Sequence, residues 1–200
     1  MSARITRDFQ FIGGVYFEDE LYMNVYEVNV QFSVESESIT EQNIALERIK
    51  YLFHSMDHHV FIYNQNVDAI EKLSNADIKL CLIPEEPYDQ LIGIMLLVKM
   101  NAVAEGRLIA EDIGLLSRMS DGVSCLHSID ENTGPFKLKG WWNDSSPKIH
   151  NTNITSKSKK VVKLEKPVTS WDELALGWIK KEEPILSEIV FASFESKTDK

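Results

Sequence analysis

The sequence predicts a mixed α/β domain, and three stretches carry that prediction. From Tyr22 onward, Tyr26, Val28, Val30, Phe32 and Val34 alternate with Glu27, Asn29, Gln31 and Ser33, the pattern of a strand buried on one side only. Ser38-Ile-Thr-Glu41 then reads as a capping box, and Ala45, Ile49, Leu52, Phe53 and Met56 follow at the spacing of one helical stripe. Further on, short β-rich runs alternate with two more helical patterns. Each element has one apolar face, and such faces are buried most simply against one another.

In chain order, Phe9, Phe11, Val15 and Phe17 mark a first strand with Gly13-Gly14 in its middle, where a bulge or bend is expected. The polar break Glu18-Asp19-Glu20 makes a hairpin with the second strand. After the first helix come a short strand, His59–Tyr63, and a short helix on Val67, Ile70 and Leu73 capped by Asn66. Ile78–Ile83 reads as a strand buried on both faces and stopped by Pro84. Leu91–Val103 is apolar almost all round, which marks a central helix ending near Gly106. Arg107–Leu116 and Gly122–Ile129 form the last two strands, joined by a turn at Ser120-Asp-Gly122. The predicted order is β-β-α-β-α-β-α-β-β: one mixed, largely antiparallel sheet with helices packed on one face, plus a C-terminal amphipathic helix.

This globular domain is assigned to residues 1–143. Trp141-Trp142 is expected to clip the following segment to it. Residues 144–168 are rich in Lys, Ser, Thr and Asn and poor in large apolar side chains, the composition of a flexible linker. Residues 169–200 form a docking tail, in which a second capping box, Ser170-Trp-Asp-Glu173, opens a helix bearing Trp171, Leu174, Trp178 and Ile179 on one stripe.

Composition narrows the function classes. The net charge is −10, yet Ser145–Val168 holds six lysines against Glu165 alone, so that segment carries +5 and the remainder −15. An acidic body argues against nucleic-acid binding. Cys81 and Cys125 lie in apolar runs without metal-type spacing and read as buried free thiols in a reducing compartment. No secretory h-region and no run of about 18 apolar residues is present, which implies a cytoplasmic protein with no membrane partner. Phosphate-binding glycine loops, serine elbows and CxxC motifs are absent, and no cofactor or metal is expected.

The cluster with catalytic residue types is His54-Ser-Met-Asp-His-His59. On a helix His54, Asp57 and His58 fall at i, i+3 and i+4, close enough to pass a proton. The same residues suit a solvated helix terminus, where histidines complement the dipole. Met56-Asp57-His58, ending a helix that follows a β-hairpin, resembles the Leu-Asp-His element of the 6-pyruvoyl tetrahydropterin synthase family. Its tunnelling fold runs β-β-α-α-β-β. The resemblance implies a proton-relay role for Asp57 and His58. The family's zinc histidines and cysteine nucleophile have no counterpart, since no histidine and no cysteine precedes His54. The run IPEEPYDQLIGIMLLVKMNAVAEGRL also looks like stretches of uncharacterised tailed-phage proteins.

The leading expectation is a non-catalytic interaction or assembly protein that docks on a protein partner or another copy through Trp171, Leu174, Trp178 and Ile179. The alternatives are a small-molecule enzyme on a tunnelling-fold-like scaffold and a tailed-phage accessory protein.

Overall fold

A computed structural model describes residues 3–118, 123–149 and 168–179. The elements appear in the predicted order: β1 (Ala3–Phe17), β2 (Glu20–Val34), α1 (Ile39–Met56), β3 (His59–Tyr63), α2 (Val67–Asn75), β4 (Leu80–Ile83), α3 (Asp89–Ala104), β5 (Leu108–Ser117) and β6 (Ser124–Ser128). The six strands form one sheet in the order β4-β3-β1-β2-β5-β6. β1 runs antiparallel to β2, β2 to β5 and β5 to β6, whereas β3 runs parallel to both β1 and β4. The β5–β6 turn, expected at residues 120–122, lies outside the described residues.

The organising hairpin closes through Glu18 and Asp19, both with positive φ (49° and 64°), the left-handed pair that suits a two-residue turn to strand twist. The alternation of β2 is realised: Tyr26, Val28, Val30 and Phe32 are buried, and Glu27 and Asn29 are exposed. Ser38 caps α1 by accepting from the Glu41 amide (3.4 Å). The Glu41 carboxylate accepts from the Ser36 hydroxyl (2.8 Å) instead of closing the box on Ser38. Asn66 caps α2 by accepting from the Ala69 amide.

Gly13-Gly14 makes neither bulge nor bend, because β1 pairs with β2 without interruption from Ala3 to Phe17. The glycines are there for space. A Cβ on Gly13 would lie 3.2–3.3 Å from ring atoms of Phe11, Phe61 and Tyr26, which fill the sheet surface above it. The register shift falls instead between β2 and β5, at Gln31/Phe32.

The helices divide between the two faces of the sheet, a correction to the expectation that all pack on one. α1 and α3 cover the face bearing Phe11, Tyr26, Val30 and Phe61. α2 lies on the other, where Ala69, Ile70 and Leu73 pack on Tyr16, Val60, Ile62 and Leu80. Chain direction supplies the reason. The step from β3 to β4 goes outward to the edge, and the step from β4 to β5 returns across the sheet. Parallel crossovers of one hand that travel in opposite directions must place their helices on opposite faces.

The apolar girth of α3 is explained by what surrounds it. One side packs on the sheet, and the chain from Gly134 to Ile149, including two short 3-10 turns, covers another, with Phe136, Trp142 and Ile149 buried in the main core. Lys99 is the polar exception, fully buried, its Nζ donating to the carbonyls of Trp141, Asp144 and Ser146 at 3.0, 2.5 and 2.9 Å. Burial pushes this ammonium down from its ordinary value to about 8. Residues 144–149 thus belong to the globular body, not to the linker assigned to 144–168. The rest of that assignment, residues 150–167, lies outside the described residues.

Candidate functional site

α2 covers the second face of the sheet only near β3 and β4. Over β1, β2, β5 and β6 no described element lies on it, and there the sheet forms an open cleft of about 830 Å³. Its floor is the half of the strand alternation that faces away from α1 and α3: Asp8 and Gln10 from β1, Glu27, Asn29 and Gln31 from β2, Asp112 and Leu116 from β5, and Ser124, Leu126 and Ser128 from β6. Pairing aligns them in rows, Asp8 beside Asn29, Gln10 beside Glu27 and Gln31 beside Asp112. Four carboxylates line the cleft, those of Asp8, Glu27, Asp112 and Glu131, and no lysine or arginine does.

Three of these carboxylates are held in place. Asp8 accepts from the Asn29 amide (2.6 Å), Glu27 pairs with Arg118 at the rim (3.2 Å), and Glu131 meets His127 Nδ1 at 2.9 Å. Asp112 has no ion-pair partner among the described residues. The arrangement presents hydrogen-bond acceptors and amides over a negative bed. It lacks the nucleophile–base pairing that acyl or phosphoryl transfer would require.

Of the predicted catalytic trio, His54 and Asp57 are brought together, but as part of a chain connection: α1 ends at Met56, so Asp57 and His58 do not lie on the helix expected to hold all three. His54 Nδ1 lies 3.7 Å from Asp57 Oδ2, and the His54 side chain is 83% exposed. The other Asp57 oxygen accepts from the Ile12 amide (3.0 Å), and the His58 amide donates to the Ile12 carbonyl (2.7 Å). His58 takes a left-handed backbone (φ 63°) and is exposed. These contacts fasten the α1–β3 corner to β1, and none of the three residues lines the cleft. Among the described residues, no group of three or more His, Cys, Asp or Glu is placed to hold a metal.

The tail residues assigned to a partner are largely used by the chain itself. Trp171 is buried at 7% exposure, crosses the Tyr51 ring edge-on (centroids 5.8 Å apart) and donates Nε1 to the Ser145 carbonyl. Trp178 lies between two guanidiniums, with Arg48 Cζ at 3.6 Å and Arg107 Cζ at 4.2 Å from its ring centre. Arg48, itself 2% exposed, donates to the carbonyls of Leu176 and Val103 and pairs with Glu105 (2.8 Å). Leu174 packs on the core, and Ile179 stays 56% exposed.

The expected amphipathic helix is a single 3-10 turn, Asp172–Leu174. Its capping contacts do form: the Ser170 hydroxyl accepts from the Glu173 amide, and the Glu173 carboxylate accepts from Thr169. Ala175 then turns left-handed (φ 55°), and the chain leaves the helical path. A helix this short has little stability of its own. Carrying the Leu176 carbonyl to Arg48 and Trp178 between the arginines decides the conformation.

A second polar cluster lies on the helix-covered face at the start of α3. Asn24 Nδ2 donates to the Ser117 hydroxyl, and burial raises both the Asp89 carboxyl and the Tyr26 phenol.

Sequence reasoning missed the cleft because it treated Glu27, Asn29 and Gln31 as an ordinary wet face. The available signal was that this polar row occurs on a central strand, where an uncovered face is a surface the fold leaves open. Among the described residues no helix is long and apolar enough to cross a membrane. No known protein family matches this chain, and no curated protein does. Among solved structures, an uncharacterized protein from Wolinella succinogenes is similar with a TM-score of 0.48 and 10% identity, over 65% of this chain and 99% of that one.

Proposed function

We propose that this is a non-catalytic interaction protein that receives a cationic, extended segment of a protein partner in the open cleft of its sheet. The observation that carries the reading is the lining: four carboxylates set among amides, hydroxyls and the apolar side chains of Leu116 and Leu126, and no lysine or arginine. Such a surface favours lysine or arginine side chains and repels phosphates. The tail is a weaker contact surface, since its tryptophans are already packed on α1 and its surroundings.

Titration with a hexalysine peptide tests this, followed by calorimetry at low and high salt. Asp8→Asn combined with Asp112→Asn should weaken binding roughly tenfold, from about 0.7 kcal/mol for each exposed charge contact. Equal affinity for wild type and variant, or preference for a polyanion, would refute it.

A second reading is motivated by the placement of α1 and α3. With β3-α2-β4 set aside, the chain runs β-β-α-α-β-β with both helices on one face, the order implied by the resemblance around Met56-Asp57-His58. Under that reading the protein is a small-molecule enzyme using Asp57 and His58. Stoichiometric zinc in the purified protein, lost in His58→Ala, would favour it over the binding reading.

A further inference from the structure

The two edges of the sheet are treated differently. At the β4 edge the Ile83 carbonyl faces β3 and accepts from Asn64, so the Leu82 carbonyl points outward, and the Trp141 indole occupies it (2.9 Å). A side chain of the body thus covers part of that edge. At the β6 edge the described residues supply no such cover, and Val123–Ile129 contains none of the charges or prolines that usually guard an exposed strand. Leu126 at its centre is 76% exposed.

The backbone phase of β6 follows from its pairing. The Ile129 amide points inward to the Glu111 carbonyl, so the amides and carbonyls of Cys125 and His127 also face β5. Those of Ser124, Leu126 and Ser128 face outward. We infer that a second copy of this chain pairs with β6 about a two-fold axis through Leu126, joining two sheets into one.

The sequence order is self-complementary in that register. Leu126 meets the second copy's Leu126, Ser124 meets Ser128, and Cys125 meets His127, with no like charges opposed within the strand. Outward groups meet outward groups at each of the first two pairings, which provides up to about six backbone hydrogen bonds. The leucines fall on the open face, so their contact removes an exposed apolar side chain from water and makes the two acidic clefts continuous. This mode of strand addition depends on main-chain bonds and is independent of the cleft's ligand.

Sedimentation equilibrium of the full chain should give twice the monomer mass of 22.9 kDa. Leu126→Lys should return it to a folded monomer whose melting temperature no longer depends on protein concentration, whereas that of the wild-type dimer should rise with concentration. An equimolar mixture of Leu126→Lys and Leu126→Glu should recover the dimer. Hydrogen exchange should slow at the amides of Ser124, Leu126 and Ser128 in the wild-type dimer and not in the Lys variant. A monomeric wild type, or a dimer that survives Leu126→Lys with those amides still exchanging fast, would overturn the inference. The Asp8→Asn, Asp112→Asn double variant, which is weakened in hexalysine binding, should still sediment as the dimer, and this keeps the outcome separate from that of the cleft.

Discussion

Replacing Trp171 by alanine separates a tail that belongs to the body from one held for a partner. A buried tryptophan carries roughly 200 Å² of contact area, worth about 5 kcal/mol at 25 cal/mol per Å². That figure is an upper bound, because the denatured chain already buries part of this surface. The site also lies at the rim of the core, where water can enter the space left behind and satisfy the Ser145 carbonyl released by Nε1. Loss of the edge-on contact with Tyr51 and of the Arg48 guanidinium 4.9 Å from the ring works in the opposite direction. The net expectation is a loss of about 3 to 4 kcal/mol, within the usual range for a tryptophan truncation. Urea denaturation followed by circular dichroism measures it, with Ile179→Ala as a control expected within about 0.5 kcal/mol of wild type. A Trp171→Ala loss below about 1 kcal/mol would show that the tail contributes little to the body, and would restore a partner as the natural owner of its tryptophans.

Two further outcomes concern the core. Because burial holds the Lys99 ammonium down at about 8 against an ordinary 10.5, the unfolded chain binds more protons than the folded one between those values. Stability contributed by this group therefore rises with pH across that window, and wild type should gain up to about 3 kcal/mol relative to Lys99→Met between pH 8 and 10.5. A pH-independent difference between the two proteins would refute the assignment. Gly13→Ala should cost about 1 to 3 kcal/mol in urea denaturation by pressing a methyl group onto the Phe11, Phe61 and Tyr26 rings, and a neutral effect would show that these rings yield.

Local pattern was enough to determine the elements of this protein and their order. Period-two alternation in β2, the Ser38 cap with the Ala45–Met56 stripe, and the almost wholly apolar run of α3 are each decided by neighbours within a few residues. Their physics is the same in the sequence and in the fold. Three-dimensional closure decided the rest. Opposite crossover directions sent α2 to one face and α3 to the other, a constraint that exists only once strand order is known. The glycine pair looked like a break in β1 because the rings it accommodates come from three different strands. The tail carried a sound capping signal and an amphipathic stripe, yet Arg48 and Arg107, more than 60 residues away, drew it into an irregular path. Of the trio at His54, Asp57 and His58, only His54 lies in α1, which ends at Met56; Asp57 meets His54 as the residue that caps the helix, and His58 follows in left-handed backbone. Adjacency along a helix says nothing of whether a cavity opens beside it, and the cavity formed across the sheet, where strands distant in sequence lay their polar rows side by side.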